Sequence, residues 1–434
     1  MSDVKRPSRR DFLKGSTAAV AGTALAGSLS IARSAYAAGD DKIRIALIGC
    51  GGRGNGAAGN NLAGCKNTQI VAVADAFERA AKRAAKGLNV SPEKTFWGLD
   101  AYKKAIAADV DMVIMATAPG FRPVHYKAAI EAGKHVFMEK PCCVDAPGYR
   151  ILVETNKLAD QKGLKVGVGF QRRHSPGYVN GIQKIHDGKY GDLILLQAYW
   201  NGDGIWHRSR EELAKQLDRE PTELQYQVYN WYHFCWLSGD NICEQHIHNL
   251  DVCNWAKDAH PVEANGMGGG EIRRKIAKQT EIFDHHFVEF TYPDGTKMYS
   301  QCRHVPGCFN LVSEYAFGTK GKGGMGDKGN ATDRNGVPFK FGDMDQEHFA
   351  LVEAIRNNQP YNEGHYGATS SMTAVLGRMA TYSGKIVKWD EAVERGKPLS
   401  PGIENYTFET AAPVLPDEKG VYPMAIPGIY NPFA

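Results

Sequence analysis

The chain has 434 residues, 43% of them hydrophobic, and 52 Lys and Arg against 48 Asp and Glu, for a formal net charge of +4. Six of the basic and two of the acidic side chains fall in the first 37 residues, so the rest of the chain balances to zero, which excludes a basic face for nucleic acid or an anionic membrane surface. Nine scattered cysteines without a C-x-x-C pair exclude a disulfide-stapled scaffold, and the length predicts two domains.

The first predicted element is an address. Ser8-Arg9-Arg10-Asp11-Phe12-Leu13-Lys14 is a twin-arginine pattern, followed by a mildly apolar Ala/Gly/Ser run to Ala32 and an A-x-A cleavage site at Ala35-Tyr36-Ala37. The run is too short and too rich in small residues for a comfortable membrane span. Residues 1–37 are therefore expected to be a removed export signal. The mature protein is then periplasmic or otherwise extracytoplasmic, exported folded, with no stable membrane insertion. A chain that folds before export need not rely on disulfides.

From Lys42 to Ile48 an apolar run predicts a buried strand that ends in Gly49-Cys50-Gly51-Gly52-Arg53-Gly54. G-x-G-x-x-G alone is weak, but here a strand precedes it, a helix-compatible stretch follows, and "QIVAVADA" predicts a second strand ending in Asp75, 21 residues beyond Gly54. Gly49 would allow a tight turn, Gly51 the close approach of a pyrophosphate, and Gly54 close helix–strand packing. Gly52 and Arg53 complete the loop. Asp75 would accept hydrogen bonds from ribose hydroxyls, favouring NAD, while Arg79 could meet a 2′-phosphate and keeps NADP open.

The alternation continues with strands over 110–118, 135–141 and 165–170 and helices from Val124 to Ala132 and Ala146 to Lys162. That pitch predicts a doubly wound parallel α/β sheet over residues 38–170, a Rossmann domain with ligands beyond the strands' carboxyl ends, where Gly49, Asp75, Pro119, Glu139 and Lys140 all fall.

"AGKHVFMEKP", the Gly-rich loop, the ATA-P turn at Pro119 and "GFQRR" follow one another as in the glucose–fructose oxidoreductase / inositol dehydrogenase / MocA family, which the chain resembles from about Lys42 through Trp255 and more loosely to Trp389. The resemblance implies an NAD(P)-dependent oxidoreductase with a cofactor loop that includes Pro119, Glu139 and Lys140. It also implies a second domain whose open sheet carries substrate and subunit contacts, hence a homo-oligomer, dimer or tetramer.

Residues 171–434 change pattern. Strands over 192–202 and 309–321 and a hairpin over 287–302 turning at Pro293-Asp294-Gly295 predict an α+β domain with an open, mostly antiparallel sheet. Helices near 345–357 and 367–384 are expected to close it. The tail from Pro401 is expected to wrap the surface.

"GDNICEQHIHNLDVCNW", residues 239–255, concentrates Glu244, His246, His248 and Asp251. If 244–255 is helical, Glu244, His248, Asp251 and Trp255 share a face, whereas His246 lies about 160° from His248, so the two cannot chelate together. With no C-x-x-C or H-E-x-x-H companion, no metal is expected. Patterning alone leaves a polar helix face open as an alternative to a site.

The resembling oxidoreductases carry D-x-x-x-H-x-x-D over the nicotinamide. The match here is Glu244, His248 and Asp251, with Glu in place of Asp at the first position. The resemblance implies catalytic roles for Lys140, Glu244, His248 and Asp251, with His248 handling the proton and Lys140 at the developing alkoxide. His246 stands at a glycine-like position and has no assigned role.

Arg172, Arg173, Trp206 and His207 are candidate substrate contacts beside His248, being types suited to a polyol, as are Asn201, Trp231, Tyr232 and His233. The substrate expected is a sugar, cyclitol or glycoside. Two alternatives remain: a redox-neutral NAD-dependent glycosidase, whose usual histidine-containing stretch is absent, and a non-catalytic sugar-binding protein, against which Lys140 and His248 argue.

Overall fold

The structure is a computed structural model that describes residues 42–276, 279–326 and 339–433; the export signal expected over 1–37 lies outside the described residues. Strands β1 (Ile43–Ile48), β2 (Thr68–Asp75), β3 (Thr95–Trp97), β4 (Met112–Met115), β5 (His135–Met138) and β6 (Val166–Val168) form one parallel sheet in the order β3-β2-β1-β4-β5-β6. The order reverses beside β1, the switch point at which such sheets take ligands.

The unbroken apolar run of β1 is what a strand covered on both faces requires. Ile43, Ile45 and Leu47 enter one core with Ala57, Ala84, Leu351 and Ile355; Ala46 and Ile48 enter another with Tyr102, Tyr126, Ile130 and Leu152. The helix Asp343–Arg356, expected to close the second domain, instead covers this first sheet, because Ala350, Leu351 and Ile355 on one of its faces meet Ile43, Ile45 and Leu47.

A second sheet holds β7 (Leu193–Gly202), β8 (Glu263–Gly269), β9 (His285–Thr291), β10 (Lys297–His304), β11 (Leu311–Gly318), β12 (Gly321–Gly324) and β13 (Val387–Lys388) in the order β12-β11-β7-β10-β9-β8-β13. Its pairings are antiparallel except β7 with β10, which run parallel, and β9–β10 is the expected hairpin. Inward residues such as Leu196, Ala198, Val288, Phe290 and Met298 join the core that includes Met372, Val375 and Met379 of the helix Gly364–Ser383. Outward, Met267 pairs with Phe287, Phe287 with Gln301 and Gln301 with Tyr199 across four strands, and Met267, Phe287 and Tyr299 are 68%, 37% and 36% exposed.

The end of the chain crosses between the two sheets' loops. Leu399, Ile403, Tyr406, Phe408 and Val414 cluster with Phe77, Leu99, Ala118 and Phe121 on one side and with Tyr226, Phe234 and Trp236 on the other. The rings of Phe408 and Phe77 stand 5.6 Å apart, and those of Tyr406 and Trp236 6.1 Å. Eight cysteines are buried and free; Cys308 is exposed.

Candidate active site

β1 ends in Gly49, whose φ of +95° suits glycine, and a Cβ there would lie 2.5 Å from the Ala116 backbone. A Cβ at Gly54 would lie 1.8 Å from the Gly49 carbonyl oxygen, whereas one at Gly51 or Gly52 meets nothing within 4 Å. The first and third motif glycines are thus demanded by the fold, and the middle ones border open space. Into that space points the start of the helix Gly52–Gly64, which has no side-chain cap and no acid in its first turn. Free N–H groups at a helix start, with glycine in front of them, fit a pyrophosphate.

Beside the loop lies a cleft of about 290 Å³ lined by Ile48, Asp75, Leu99, Tyr102, Phe121 and His125, among others. Asp75 is fixed at the carboxyl end of β2: its Oδ2 accepts from Cys50 N at 2.7 Å and its Oδ1 from Phe77 N at 2.9 Å. Each oxygen keeps a lone pair for a ribose hydroxyl, and burial raises the carboxyl above its usual range despite those two bonds. Arg79 is exposed on the first turn of the next helix, Glu78–Leu88. Pro119 opens the short turn Pro119–Phe121 that seats Phe121 on the cleft wall.

Arg53 and Glu139, both expected at the cofactor, also bind each other: Arg53 Nε is 2.5 Å from Glu139 Oε1, with Glu347 Oε1 3.7 Å from Nη2. Glu139 and Glu347 are buried. Burial first, then the neighbouring Glu139, pushes the Glu347 carboxyl well up, against the pull of Arg53. Glu347 lies on the helix that crossed to the first sheet, so nothing in the local sequence flagged it.

Lys140, just past β5, places Nζ 2.9 Å from Glu244 Oε1 and also donates to the Glu244 carbonyl oxygen. Glu244 closes the short helix Asn241–Glu244, and a separate helix, Ile247–Lys257, begins after Gln245 and His246. The expected single helix over 244–255 is therefore broken, and Glu244 and His248 reach the site from two helices.

His248 is buried in the first turn of the second helix, its ring near-parallel to Trp200 and edge-on to Phe170, each at 6.0 Å. Its Nδ1 is buried and has no partner among the described residues. Burial, then the charges of Lys140, Arg172 and Arg53, hold its pKa well below the usual value, so it is neutral near pH 7. His246 turns the other way, with Nε2 2.7 Å from Ser300 Oγ on β10.

Asp251 and Arg173 satisfy each other in a two-pronged pair at 2.8 and 2.9 Å, and Ser370 Oγ donates to Asp251 at 2.7 Å. Arg173 lies over Tyr366 at 3.8 Å and Trp255 at 4.9 Å. This pair braces the second helix; neither charge is free. Arg172 is paired with Glu314 of β11 and sits over Tyr178 and Trp200. Trp206 is grouped with Trp231, Tyr232 and His233 at ring distances of 6.0 to 6.2 Å, and His207 Nε2 lies 3.3 Å from the Tyr226 hydroxyl. Trp200 is the neighbour of His248 that sequence reasoning passed over. Its signal was the period of two that puts it on the inward side with Leu196 and Ala198.

Comparison with known proteins bears on the fold that carries this site. Residues 43–170 match the Gfo/Idh/MocA family, described as "Oxidoreductase family, NAD-binding Rossmann fold", and residues 6–26 match the twin-arginine translocation pathway signal sequence. The inositol 2-dehydrogenase of Rhizobium meliloti is 32% identical over 54% of this chain and 61% of its own length. A glycosyl hydrolase family 109 protein of Shewanella amazonensis is 31% identical over 49% of this chain and 48% of its own. The chain spans less than two thirds of the length of the first curated relatives it matches. The fold is similar to that of scyllo-inositol dehydrogenase from Lactobacillus casei, solved with NAD(H) and scyllo-inositol: TM-score 0.61, 21% identity, 81% of this chain and 100% of that one.

Proposed function

From the premise that residues 43–170 are an NAD-binding domain of the Gfo/Idh/MocA oxidoreductase family behind a twin-arginine signal, we propose an exported NAD-dependent oxidoreductase acting on a carbinol of a sugar, cyclitol or glycoside. The observation that carries this reading is the Lys140–Glu244 ion pair beside a neutral His248, beyond the carboxyl end of β5. Bound at the Gly51 loop, the dinucleotide supplies a hydride acceptor for the carbinol C–H. His248 takes the hydroxyl proton, so that the carbinol leaves as a ketone. Lys140 Nζ faces the oxygen as it gains charge, and Glu244 fixes that ammonium. Asp251 acts through Arg173 as a positioning residue.

Asp75 favours NAD, and Arg79 leaves NADP open. The test is single-turnover absorbance at 340 nm of the cofactor-loaded protein with each polyol or glycoside alone, and with either cofactor added; no reduction of bound or added cofactor with any of them would remove the reading. A redox-neutral glycosidase is the second reading, favoured by the likeness to the Shewanella amazonensis protein, and cleavage of a chromogenic glycoside without net NADH isolates it. A non-catalytic sugar-binding role would leave Lys140 and His248 without a use.

The address adds a constraint. An extracytoplasmic compartment is expected to hold little free NAD, so the cofactor is loaded before export and retained through turnover, with substrates that reduce and reoxidise it in place. Mature protein purified from the periplasm without added cofactor should release about one dinucleotide per chain on denaturation. Substoichiometric dinucleotide, with activity only when cofactor is supplied, would refute retention. The exposed row of Met267, Phe287 and Tyr299 supports self-association through the outer face of the second sheet, which light scattering would test.

A further inference from the structure

A second set of polar atoms stands beyond Tyr232. Arg273 is 6% exposed, and its Nε and Nη2 are buried with no acceptor among the described residues. Those two N–H groups form the guanidinium edge that meets a carboxylate through two parallel hydrogen bonds. Charged donors left unmade in an interior are costly, so an acceptor that arrives with a ligand would be bound strongly.

The Tyr232 hydroxyl, buried, faces Glu244, and His304 Nδ1 is buried without a partner among the described residues; the two rings lie 6.1 Å apart. Asp284 ties the group together, taking Arg273 N on its carboxylate at 3.0 Å and His304 N on its carbonyl at 2.8 Å. The two acids that feel the Arg273 charge are already used. Asp240 accepts from Phe283 N at 2.9 Å and the Tyr382 hydroxyl at 2.6 Å, and faces His286 at 3.3 Å. Asp284 also accepts from Ile272 N at 3.0 Å and pairs with His285 Nδ1 at 2.5 Å.

Burial, and then Arg273, hold His304 down to about 4, so it offers no second charge at neutral pH. Glu244 and Arg273 both act on the Tyr232 phenol, which links this set to the Lys140 pair. Asp240 and Asp284 carry charge close by but have their oxygens occupied, so the free guanidinium edge suits a single carboxylate with two coplanar oxygens better than a phosphate dianion.

We propose that the substrate is a polyhydroxy carboxylate of the sugar-acid class, its carboxylate held by Arg273 and His304 beside Tyr232 while its carbinol lies at Lys140 and His248. This rests on the oxidoreductase reading for the second half of that placement only. Calorimetric titration of the mature protein with D-glucuronate and D-galacturonate, against D-glucose and D-galactose, should show at least one uronate binding about tenfold or more tighter than its neutral partner, the scale of one charged hydrogen-bonded pair. R273M should erase that preference and R273K retain part of it, with melting curves checking that each variant folds.

No uronate binding, no uronate preference in the wild-type protein, or a preference that survives in folded R273M overturns the proposal. Parallel readings at 340 nm separate the two levels. Arg273-dependent uronate binding without cofactor reduction keeps the anion site and removes the oxidoreductase; turnover of neutral polyols without uronate preference does the reverse.

Discussion

Lys140 and Glu244, 104 residues apart in the chain, are joined Nζ to Oε1 at 2.9 Å with each side chain only 13% exposed. The pair couples the end of β5 to the helix before His248. Lys140→Ala and His248→Ala should each lower turnover by about 100-fold or more while leaving dinucleotide binding intact, the range for removed acid/base groups. Steady-state kinetics and cofactor fluorescence titration on the same preparations check this. Near-normal turnover in either would sink the assignment. Because His248 is held well below its usual pKa, the acid limb of kcat/KM should lie below pH 6.5.

The glycine loop separates folding from binding. Gly51→Val adds a side chain to open space, so the melting temperature should hold while dinucleotide binding is lost. Gly54→Ala drives a Cβ into the Gly49 carbonyl and should lower stability first. Equal melting losses for the two variants would contradict the division.

Asp251→Ala leaves Arg173 charged and buried without its partner. The expected cost is about 3–5 kcal/mol of stability, as for other broken buried pairs, measured by denaturant unfolding. A loss confined to turnover, with stability unchanged, would return Asp251 to the reacting centre.

Burial pushes His125, His233, His246 and His348 down to about 3, and His135 and His304 to about 4. In the unfolded chain these groups take up protons below about pH 6.5, and in the folded chain they do not until far lower. Their contribution is complete above about 6.5 and is lost as pH falls toward 3–4. Glu281, pushed up to about 7 by burial, works the other way: its contribution is full below about 4.5 and is lost as pH rises through 7. With these histidines, His207 and His248 held low against four carboxyls held high, Asp75, Glu281, Glu314 and Glu347, calorimetry should find the melting temperature falling steadily from pH 6.5 to 4.5. A flat profile would mean that these histidines are protonated in the folded chain.

Export is tested by changing Arg9 and Arg10 to Lys, which should leave the protein in the cytoplasm with its signal uncut. Mature protein still recovered outside the inner membrane would exclude the twin-arginine route.

Much of this was legible in the chain, for identifiable reasons. The Rossmann strands announced themselves because a parallel strand buried on both faces is apolar throughout, as in β1, and because Gly49, Gly54 and Asp75 stand at fixed offsets from strand ends. β8 was not legible: Glu263–Gly269 holds three glycines and reads as a turn. A Cβ on Gly266 would fall 2.6 Å from the Phe287 carbonyl oxygen and 2.9 Å from the Thr381 side chain, so packing selected against the residues that mark strands. The break at Gln245–His246 was hidden because both halves are helical in pattern. Arg273 and Glu347 escaped notice because their surroundings are built from segments distant in sequence.

The segment from Leu399 to Val414 lies against Leu99 and Phe121, which also wall the cleft beside the Gly51 loop. The cleft wall thus leans on the end of the chain, so removing residues from Leu399 onward should cost the shape of the cleft as well as stability, a coupling that melting curves and dinucleotide titration of one truncated variant would both read.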